Sequence, residues 1–538
     1  MRTGFPRRDF LKWAALSPLA STSAWAASLR SPSASSRTFY VDSITGNDRQ
    51  DGLTEATAWK SLAAVNRFRF GPGDTILFRR SGRYPGQLKP QGSGQPGAPI
   101  VVDAFGRGEK PHIAAEGRFK EALLLENQEH WEINNLQLTN TGPERAEYRY
   151  GVRLRAWDYG IVRHIVLRGV DVFDVNGSLV KNAGEGHGIY WENGGDRIRS
   201  RFDGLLIESC HLRRTDRNGI CGRSRHQNRS NWFPSLNVLI RNNLLEDIGG
   251  DCIKPWGCDG AIIEYNRVRG GRQRCLDAAA GIWPWCSDNT LVQFNEVSGI
   301  KGVFDGQAFD TDGNCRNTIF QYNYSHDNDG GFMLMCNDGN WAEPNSWGTS
   351  DTIIRYNISQ NDKTRLFHFA GPTYNTHIYN NVFWLGHEAE IHLFLWSDYS
   401  GWAEDVHFYN NIVYSQSVVK NSRGLRRENV EDPELFGRYL TELGSGQSRK
   451  HYFKANVFYG EFQGFPDTWL ENRFDPMLVD PGSGSDGLDS LNGYRLRDDS
   501  PCIGAGIRIL NNGERDLWGN PVPQQDRPSI GAHEPERA

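Results

Sequence analysis

The chain has 538 residues, a formal net charge of -5 and 23% charged residues. This weak negative charge excludes the large basic surface of a nucleic-acid-binding protein, so no nucleic-acid partner is expected. The composition combines 59 glycines, 17 tryptophans and 19 tyrosines with only four methionines. Such usage is typical of a protein built from strands and turns with many surface aromatic residues.

The N-terminus carries the pattern of a twin-arginine export signal. Arg7 and Arg8 precede a short apolar run at 13–20, and Ala24 and Ala26 form a small-x-small cleavage site. We therefore predict a signal peptide over residues 1–26, a serine-rich linker over 27–38, and a periplasmic or secreted protein of bacterial origin. A membrane anchor is the alternative, but no later segment approaches the ~18 apolar residues of a spanning helix.

Nine cysteines are scattered through the chain, and their odd number leaves at least one thiol unpaired. Export permits disulfides, and Cys252–Cys258 and Cys275–Cys286 are possible pairs. Buried free thiols fit the spacing equally well.

Residues 39–130 are predicted to form strands and an N-terminal cap. A strand over 39–41 leads into a turn, and Trp59, Leu62 and Val65 then follow helical spacing. A short helix in this place would cover the open end of a core.

Residues 131–460 contain a repeat in which apolar residues flank a recurring fourth position. In most of the repeats that fourth position is an asparagine: Asn243, Asn266, Asn295, Asn323, Asn357, Asn381 and Asn411. An asparagine at one register of successive coils can bond its amide to the same amide above and below. The repeat therefore predicts coils of roughly twenty-odd residues with loops inserted at fixed corners.

A second strand follows each of these asparagines and alternates apolar with other residues. The residues predicted to point inward are Ile253, Ile282, Phe309, Phe332 and Phe367. By the two-residue period of a strand, the residues predicted to line one outer face are Lys254, Trp283, Asp310, Met333 and His368. Residues 461–538 are predicted to form C-terminal strands and a compact cap that covers the last coil.

Together these pieces resemble the pectin-lyase-like superfamily, whose fold is an all-β, right-handed parallel β-helix. The resemblance rests on the repeat and on 39–65, 99–113 and 500–534, which look like the terminal elements of that group. It implies a carbohydrate-active solenoid, but such proteins include glycoside hydrolases, polysaccharide lyases and non-enzymatic surface proteins. The motifs of pectate lyases, alginate lyases and polygalacturonases are not met.

The acidic segment 302–317 is the best candidate for the chemistry. Asp310 and Asp312 are separated by one residue on a predicted strand, which puts their Cα atoms about 6.5 Å apart on one face. Glycoside hydrolysis needs two carboxyl groups, about 5–5.5 Å apart for retention and about 6.5–9.5 Å for inversion. We predict Asp310 as a catalytic residue, with Asp312, Asp305 or Asp329 as its partner. A turn or a structural calcium site are the alternatives.

Aromatic and polar residues around this segment suggest sugar recognition, because sugar rings stack on indoles. The predicted substrate-binding residues are Trp283, Trp285, His326, Lys254, Glu192 and Trp341. For Lys254 the alternative is a surface ion pair with Asp251. The basic loop with Arg223, Arg225 and Arg229 suits an acidic sugar.

These observations predict an exported glycoside hydrolase that acts on a plant, algal or microbial glycan, requires no cofactor and is a monomer. A polysaccharide lyase is the first alternative, in which Lys254, His326 and the arginine loop, with or without calcium, supply the base and the positive charge that neutralises a uronate. A non-catalytic glycan-binding solenoid is the second.

Overall fold

The chain forms a parallel β-helix of three sheets, in which each coil adds one strand to each sheet. This confirms the predicted fold class. Among the residues described, no helix is both long and apolar enough to cross a membrane. The computed structural model describes residues 36–337, 348–386, 391–397, 399, 401–424, 449–465 and 467–536.

Nearly all of the regular structure lies in these sheets. The first sheet contains Thr38–Val41, Thr75–Arg79, Ile100–Phe105, Trp131–Asn134, Ile161–Arg168, Arg201–Glu208, Ser235–Arg241, Ile262–Glu264, Leu291–Gln293, Ile319–Gln321, Ile353–Arg355, Thr373–Tyr379, Glu404–Tyr409 and Arg449–Lys454. The second contains Arg83–Pro85, His112–Ala114, Gln137–Asn140, Asp171–Val175, His211–Thr215, Leu244–Ile248, Arg267–Arg269, Glu296–Ser298, Tyr324–His326, Ile358–Gln360, Val382–Leu385, Ile412–Gly424 and Val457–Gln463.

The third sheet carries the acidic segment. It contains Glu121–Glu126, Tyr150–Trp157, His187–Gly194, Asn218–Ser224, Ile253–Lys254, Gln307–Thr311, Gly331–Cys336, Arg365–Ala370, Ile391–Ser397 and the second half of Ile412–Gly424. Single bridges at Ile282 connect Ile253 to Phe309 and continue the sheet between its two halves. The remaining elements are an α-helix at Leu62–Arg67, 3-10 helices at Glu55–Thr57, Asp467–Trp469 and Leu488–Tyr494, paired strands Arg69–Phe70 and Gln91–Gly92, and short strands Cys258–Asp259 and Thr349–Ser350.

The asparagine ladder is present as predicted. Asn295 Nδ2 donates to Asn323 Oδ1 over 3.0 Å, and Asn295 Oδ1 accepts from Asn266 Nδ2 over 3.0 Å. The same bond links each predicted member to the next, and Asn456, which the sequence analysis missed, extends the ladder by one coil. These buried amides give the core a polar line whose members satisfy one another.

The outer face of the third sheet follows the predicted alternation with one correction. Asp310 pairs in register with Leu334, and Leu334 pairs with His368, so Leu334 and not Met333 lies on the outer face. Phe332 and Met333 both pack into the central core. The alternation fails there because two successive residues face the core where the strand leaves the corner.

The two ends of the solenoid are covered differently. The predicted N-terminal helix is confirmed at Leu62–Arg67 and buries Leu62 and Val65 against the first coils. At the other end Trp469 stacks on Phe453 with ring centroids 3.8 Å apart.

The C-terminal segment differs from the compact cap expected. It runs back along the flank of the second sheet, where the Tyr494 hydroxyl donates to Gln360 Oε1 over 2.6 Å and Asp486 pairs with Arg269 over 2.8 Å. The reason is an apolar stripe on that flank, which this segment buries. The stripe consists of Tyr324, Ile358, Val382, Ile412 and Val457.

All nine cysteines are buried free thiols. Neither Cys252–Cys258 nor Cys275–Cys286 is a disulfide. The alternative prediction, that the cysteines are small buried residues of the core, is therefore confirmed.

The ladder yields a prediction for stability. Asn295→Ala removes the partner of the Asn266 N–H and of the Ile263 carbonyl, both buried. We expect the free energy of unfolding to fall by about 2–4 kcal/mol, measured by chemical denaturation. Gln95→Ala, at an exposed amide, is the control and should change it by less than about 0.5 kcal/mol. An Asn295→Ala effect as small as that of the control would contradict a stabilising ladder.

Candidate functional site

The three carboxylates of the acidic segment lie together at the outer face of the third sheet. Asp310 and Asp312 are on and just after the strand Gln307–Thr311. Asp305 and Gly306 enter this strand with φ values of +58° and +75°. These two left-handed residues turn the chain from the preceding loop into the sheet, which is the turn chemistry expected of an Asp-Gly pair.

Asp310 is the most strongly perturbed of the three. Its side chain is buried, with only 2% of the residue exposed, and Oδ1 has no hydrogen-bond partner among the residues that the structure describes. Burial, followed by the charges of Asp312 and Asp305, raises the pKa of Asp310 well above its usual range. Asp310 therefore retains its proton to a higher pH than an ordinary aspartate, beside two other carboxyl groups, which is the electrostatic setting of a general acid.

Asp312 and Asp305 are half-buried. The Asp312 carboxylate accepts from the Gly313 N–H over 2.6 Å, and the Asp305 carbonyl accepts from Arg365 over 3.0 Å. The loop with residues 225–233 is fixed beside Asp312, because Arg229 donates to Asn314 over 3.1 Å.

A buried ion pair lies behind the tryptophans of this face. Lys254 and Asp251 are 3.3 Å apart with side chains 3% and 0% exposed, so this is a buried pair and not the surface pair considered from the sequence. Asp251 Oδ1 also accepts from the Trp283 indole over 3.2 Å. Although burial opposes its ionisation, Lys254 lowers the pKa of Asp251 to about 2. The pair therefore stays charged and holds Trp283 in place.

Two loops add further charges to this pair. Arg217 donates to Asp277 over 2.7 Å and lies 3.5 Å from Glu185, while Lys181 Nζ donates to the Ala278 carbonyl over 2.8 Å. Burial opposes the ionisation of Glu185, but Lys254 lowers its pKa to about 2.

The network that results is electrically balanced. Its three cations are Lys181, Arg217 and Lys254, and its three carboxylates are Glu185, Asp251 and Asp277. The negative charge of the face is thus concentrated at the acidic segment.

The tryptophans occupy two different environments. Trp283 is 3% exposed and is packed beneath the face, with Lys254 Nζ 4.9 Å from its ring. Trp256 and Trp285 are half-buried, with ring centroids 5.6 Å apart, and form the wall beside the acidic segment. Trp341 lies outside the described residues.

A cavity of about 420 Å³ opens on the same sheet, on the side of the earlier coils. Its size is that of a small-molecule site. It is lined mainly by aromatic, charged and amide side chains: Tyr148, Tyr150, Arg153, Trp157, Glu185, His187, Tyr190, Glu192, Arg223, Arg225, Gln227 and Trp256. Burial lowers the pKa of His187 to about 3, so its imidazole is neutral.

The structure does not bring His326 and Asp329 together with Asp310. His326 is on the second sheet, where its ring bonds to Asp327 over 2.8 Å and Glu296 over 3.4 Å beneath the C-terminal segment. Asp329 accepts from the Gly302 N–H over 3.0 Å and lies 3.8 Å from Lys363 at a corner.

The basic loop is mostly neutralised. Arg229 is half-buried and forms a two-bond pair with Asp288, with N–O distances of 2.8 and 2.7 Å. Arg225 pairs with Asp196 over 2.7 Å. Only Arg223 of this loop has no carboxylate partner among the described residues, and its guanidinium lies 5.6 Å from the Trp256 ring.

The loop cations Lys181 and Arg217 and the carboxylate Asp277 were not predicted from the sequence. Their partners lie on loops far apart in sequence, such as Lys181 and Ala278, which no periodic pattern reveals. Only Arg217 could have been suspected from the sequence, because it immediately precedes Asn218, which is in register with His187 on the neighbouring strand.

One cluster has the composition of a metal site. Glu296, His326 and Asp486 place ligand atoms within 4.8 Å of one another. However, Arg267 already pairs with Glu296 over 2.6 Å, and, against the effect of burial, Asp327 and Glu296 raise the pKa of His326 to about 9. A protonated imidazole is not a metal ligand, so the cluster fits an ion-pair network better. Calcium at the acidic segment stays a prediction.

No protein-family model matches the chain. Lacto-N-biosidase of Bifidobacterium longum subsp. longum is 26% identical over 622 aligned positions, which cover 93% of this chain and 36% of that protein. Alpha-1,3-galactosidase A of Akkermansia muciniphila is 34% identical over 73 residues, 14% of this chain and 12% of the relative. The chain thus spans about a third of the curated relative that it matches along most of its length.

Among solved structures, the GH136 lacto-N-biosidase of Eubacterium ramulus superposes with a TM-score of 0.56 at 23% identity, covering 79% of this chain and 68% of that one. The xylose complex of XylC gives a TM-score of 0.52 at 13% identity, covering 92% and 98% of the two chains. At these identities the similarity shows the fold.

The buried pair predicts a strong effect of a single substitution. Lys254→Met leaves Asp251 without its paired cation and removes the positive charge that lowers the pKa of Glu185, so we expect the free energy of unfolding to fall by about 3–5 kcal/mol. The double variant Lys254→Met/Asp251→Asn should recover part of that loss. Chemical denaturation of the two variants measures both values.

The surface pair of Lys363 and Asp329, 3.8 Å apart, provides the control, and Lys363→Met should cost less than about 1 kcal/mol. Equal losses for Lys254→Met and Lys363→Met would contradict a tightly coupled buried pair.

The raised pKa of Asp310 predicts a pH-dependent stability. An unfolded aspartate ionises near pH ~4, whereas the folded Asp310 stays protonated, so native stability falls as pH rises through this window, by about 1.4 kcal/mol per pH unit. Asp310→Asn cannot ionise and should be more stable than the natural protein at pH 7, but similar to it at pH 3. Denaturation at both pH values measures the difference, and a difference independent of pH would contradict the assignment.

Proposed function

We propose that this chain is a glycoside hydrolase that acts on oligosaccharides and releases lacto-N-biose units. The observation that carries this proposal is the buried Asp310, whose pKa is raised beside Asp312 and Asp305 on an outer face bordered by Trp285. Similarity to a lacto-N-biosidase along most of the chain supports both the reaction class and the sugar.

In this mechanism the proton of Asp310 passes to the glycosidic oxygen as the bond to the anomeric carbon breaks. The ionised carboxylate of Asp312, on the same face, stabilises the positive charge that develops on the sugar ring, and Asp305 is the alternative for this role. Attack by this carboxylate gives retention, and attack by a water that it activates gives inversion. Water finally supplies the hydroxyl of the released sugar.

The charges around the site favour hydrolysis over β-elimination. A lyase needs a cation free to neutralise a uronate and a base beside it. Lys254 and Arg217 are instead engaged with Asp251, Glu185 and Asp277, and His326 lies on another sheet. Arg223 has no carboxylate partner among the described residues, but it is three inter-strand steps, about 14 Å, from Asp312. A neutral glycan therefore fits the acidic segment better than a uronate.

The cellular setting is part of the proposal. The twin-arginine pattern over 1–26 favours export to the periplasm or beyond, where oligosaccharides are available. The protein acts as a monomer without a nucleic-acid partner, and hydrolysis by paired carboxyl groups requires no cofactor.

Hydrolysis of an aryl glycoside of lacto-N-biose and of a panel of neutral oligosaccharides tests this function. We expect release of lacto-N-biose without an unsaturated uronyl chromophore, and at least 100-fold lower kcat for Asp310→Asn and Asp312→Asn. Asp305→Asn, assayed beside them, identifies the second carboxylate.

Asp498→Asn, at an exposed carboxylate of the C-terminal segment, is the matched control and should retain full activity. Products that carry the uronyl chromophore would establish the lyase instead. Activity unchanged in all three acidic-segment variants would exclude catalysis by this segment.

A further inference from the structure

The cavity is aligned with the acidic segment along the third sheet. Glu192 pairs in register with Arg223, Trp256 bridges to Trp285, and the Asp312 N–H donates to the Pro284 carbonyl of the coil before it. Four inter-strand steps of about 4.8 Å separate Glu192 from Asp312, a distance of about 19 Å. The cavity is therefore removed from the acidic segment by more than one sugar ring, on the same continuous face.

The walls of the cavity present flat aromatic surfaces. Trp256 lies at the end nearer the acidic segment, and its indole N–H is bonded to Gln227. Tyr150 and Tyr190 stack with ring centroids 5.1 Å apart on the floor. Rings of this kind, with a few polar groups between them, are the usual surroundings of a bound saccharide.

The charges of the cavity cancel. Arg153 bonds to Glu121 and Glu192 over 2.8 and 2.5 Å, and Arg155 bonds to Glu192 over 2.8 Å. Arg155 also pairs with Glu126 over 2.5 Å. With Arg223, this cluster has three cations and three carboxylates. The two other charged lining residues, Arg225 and Glu185, are neutralised by Asp196 and Arg217, so the cavity offers no net field to an anionic ligand.

Two groups of the cluster keep hydrogen-bonding capacity. Both arginine bonds reach Oε1 of Glu192, and no described residue donates to its Oε2. The exposed guanidinium of Arg223 has no carboxylate partner among the described residues. An acceptor and a donor therefore stand side by side on neighbouring strands, which matches the adjacent hydroxyls of a sugar.

From these observations we infer that the cavity is a distal subsite for a neutral saccharide unit, with Glu192 and Arg223 binding its hydroxyls beside Trp256. The direction from this subsite to a cleaved bond rests on the proposed function, but the binding itself does not. The subsite makes recognition dependent on chain length, because a short ligand at the acidic segment does not reach it.

The experiment measures binding separately from hydrolysis. The Asp310→Asn chain is titrated by calorimetry with neutral oligosaccharides of two to six units, including lacto-N-biose and lacto-N-tetraose. The affinity should rise with oligosaccharide length. Adding Arg223→Ala should lower the affinity for the longer oligosaccharides about tenfold and leave the affinity for the disaccharide unchanged. Glu192→Gln, which keeps the shape of the side chain, should have the same length-selective effect.

Arg213→Ala is the matched control, since Arg213 also lies over an aromatic ring, Phe173 at 4.7 Å, but on another sheet. It should leave every affinity unchanged. Equal weakening of short and long ligands by Arg223→Ala, or affinities that do not rise with length for any oligosaccharide, would overturn the subsite. Arg223-dependent binding without hydrolysis by the natural chain would retain the subsite and reject the proposed hydrolase. Preferential binding of sulfated or sialylated oligosaccharides would overturn the neutral assignment.

Discussion

In-register stacking of parallel coils is the constraint on which the rest of the structure depends. Because every coil repeats at the strand spacing of about 4.8 Å, a side chain meets its counterparts directly above and below. Inside, this geometry lets Asn295 bond to Asn266 and Asn323 with the same atoms each time. Outside, it places Trp256, Trp285 and Asp312 in one line from residues far apart in sequence.

The parts of the structure that obey this stacking could be predicted from the sequence. The ladder asparagines and the outward position of Asp310 follow from periodicity alone. The repeat between coils places the asparagines at one register, and the two-residue period of a strand places Asp310 on the outer face. The predicted outward position of Met333 was wrong because the alternation of inward and outward residues fails at the corner, where two consecutive residues face the core. The contact between the C-terminal segment and the flank of the second sheet was also not predicted. In the sequence, an apolar stripe on the outer surface cannot be distinguished from a set of inward-facing residues until the segment that covers it is known.

Only part of the candidate site could be predicted from the periodicity of the sequence. Periodicity located Asp310, Asp312 and Trp285, but it could not show that Lys254 is buried or that His326 belongs to another sheet. Those facts depend on loops of irregular length. Arg217, for example, reaches Asp277, which lies 60 residues further along the chain.

The charge arrangement explains why the acidic segment stands apart from the rest of the face. Elsewhere on this face, buried carboxylates have cations close by: Asp251 has Lys254, Glu185 has Arg217, and the pKa of each of these two carboxyl groups is lowered to about 2. Asp310 is equally buried, but its strongest charged neighbours are Asp312 and Asp305, and its pKa rises. Folding alone would favour a cation or an apolar residue at this position, because a buried carboxyl group whose Oδ1 has no hydrogen-bond partner among the described residues is destabilising. In the proposed hydrolase this buried carboxyl group is the general acid, and that role would account for its presence in an otherwise balanced network.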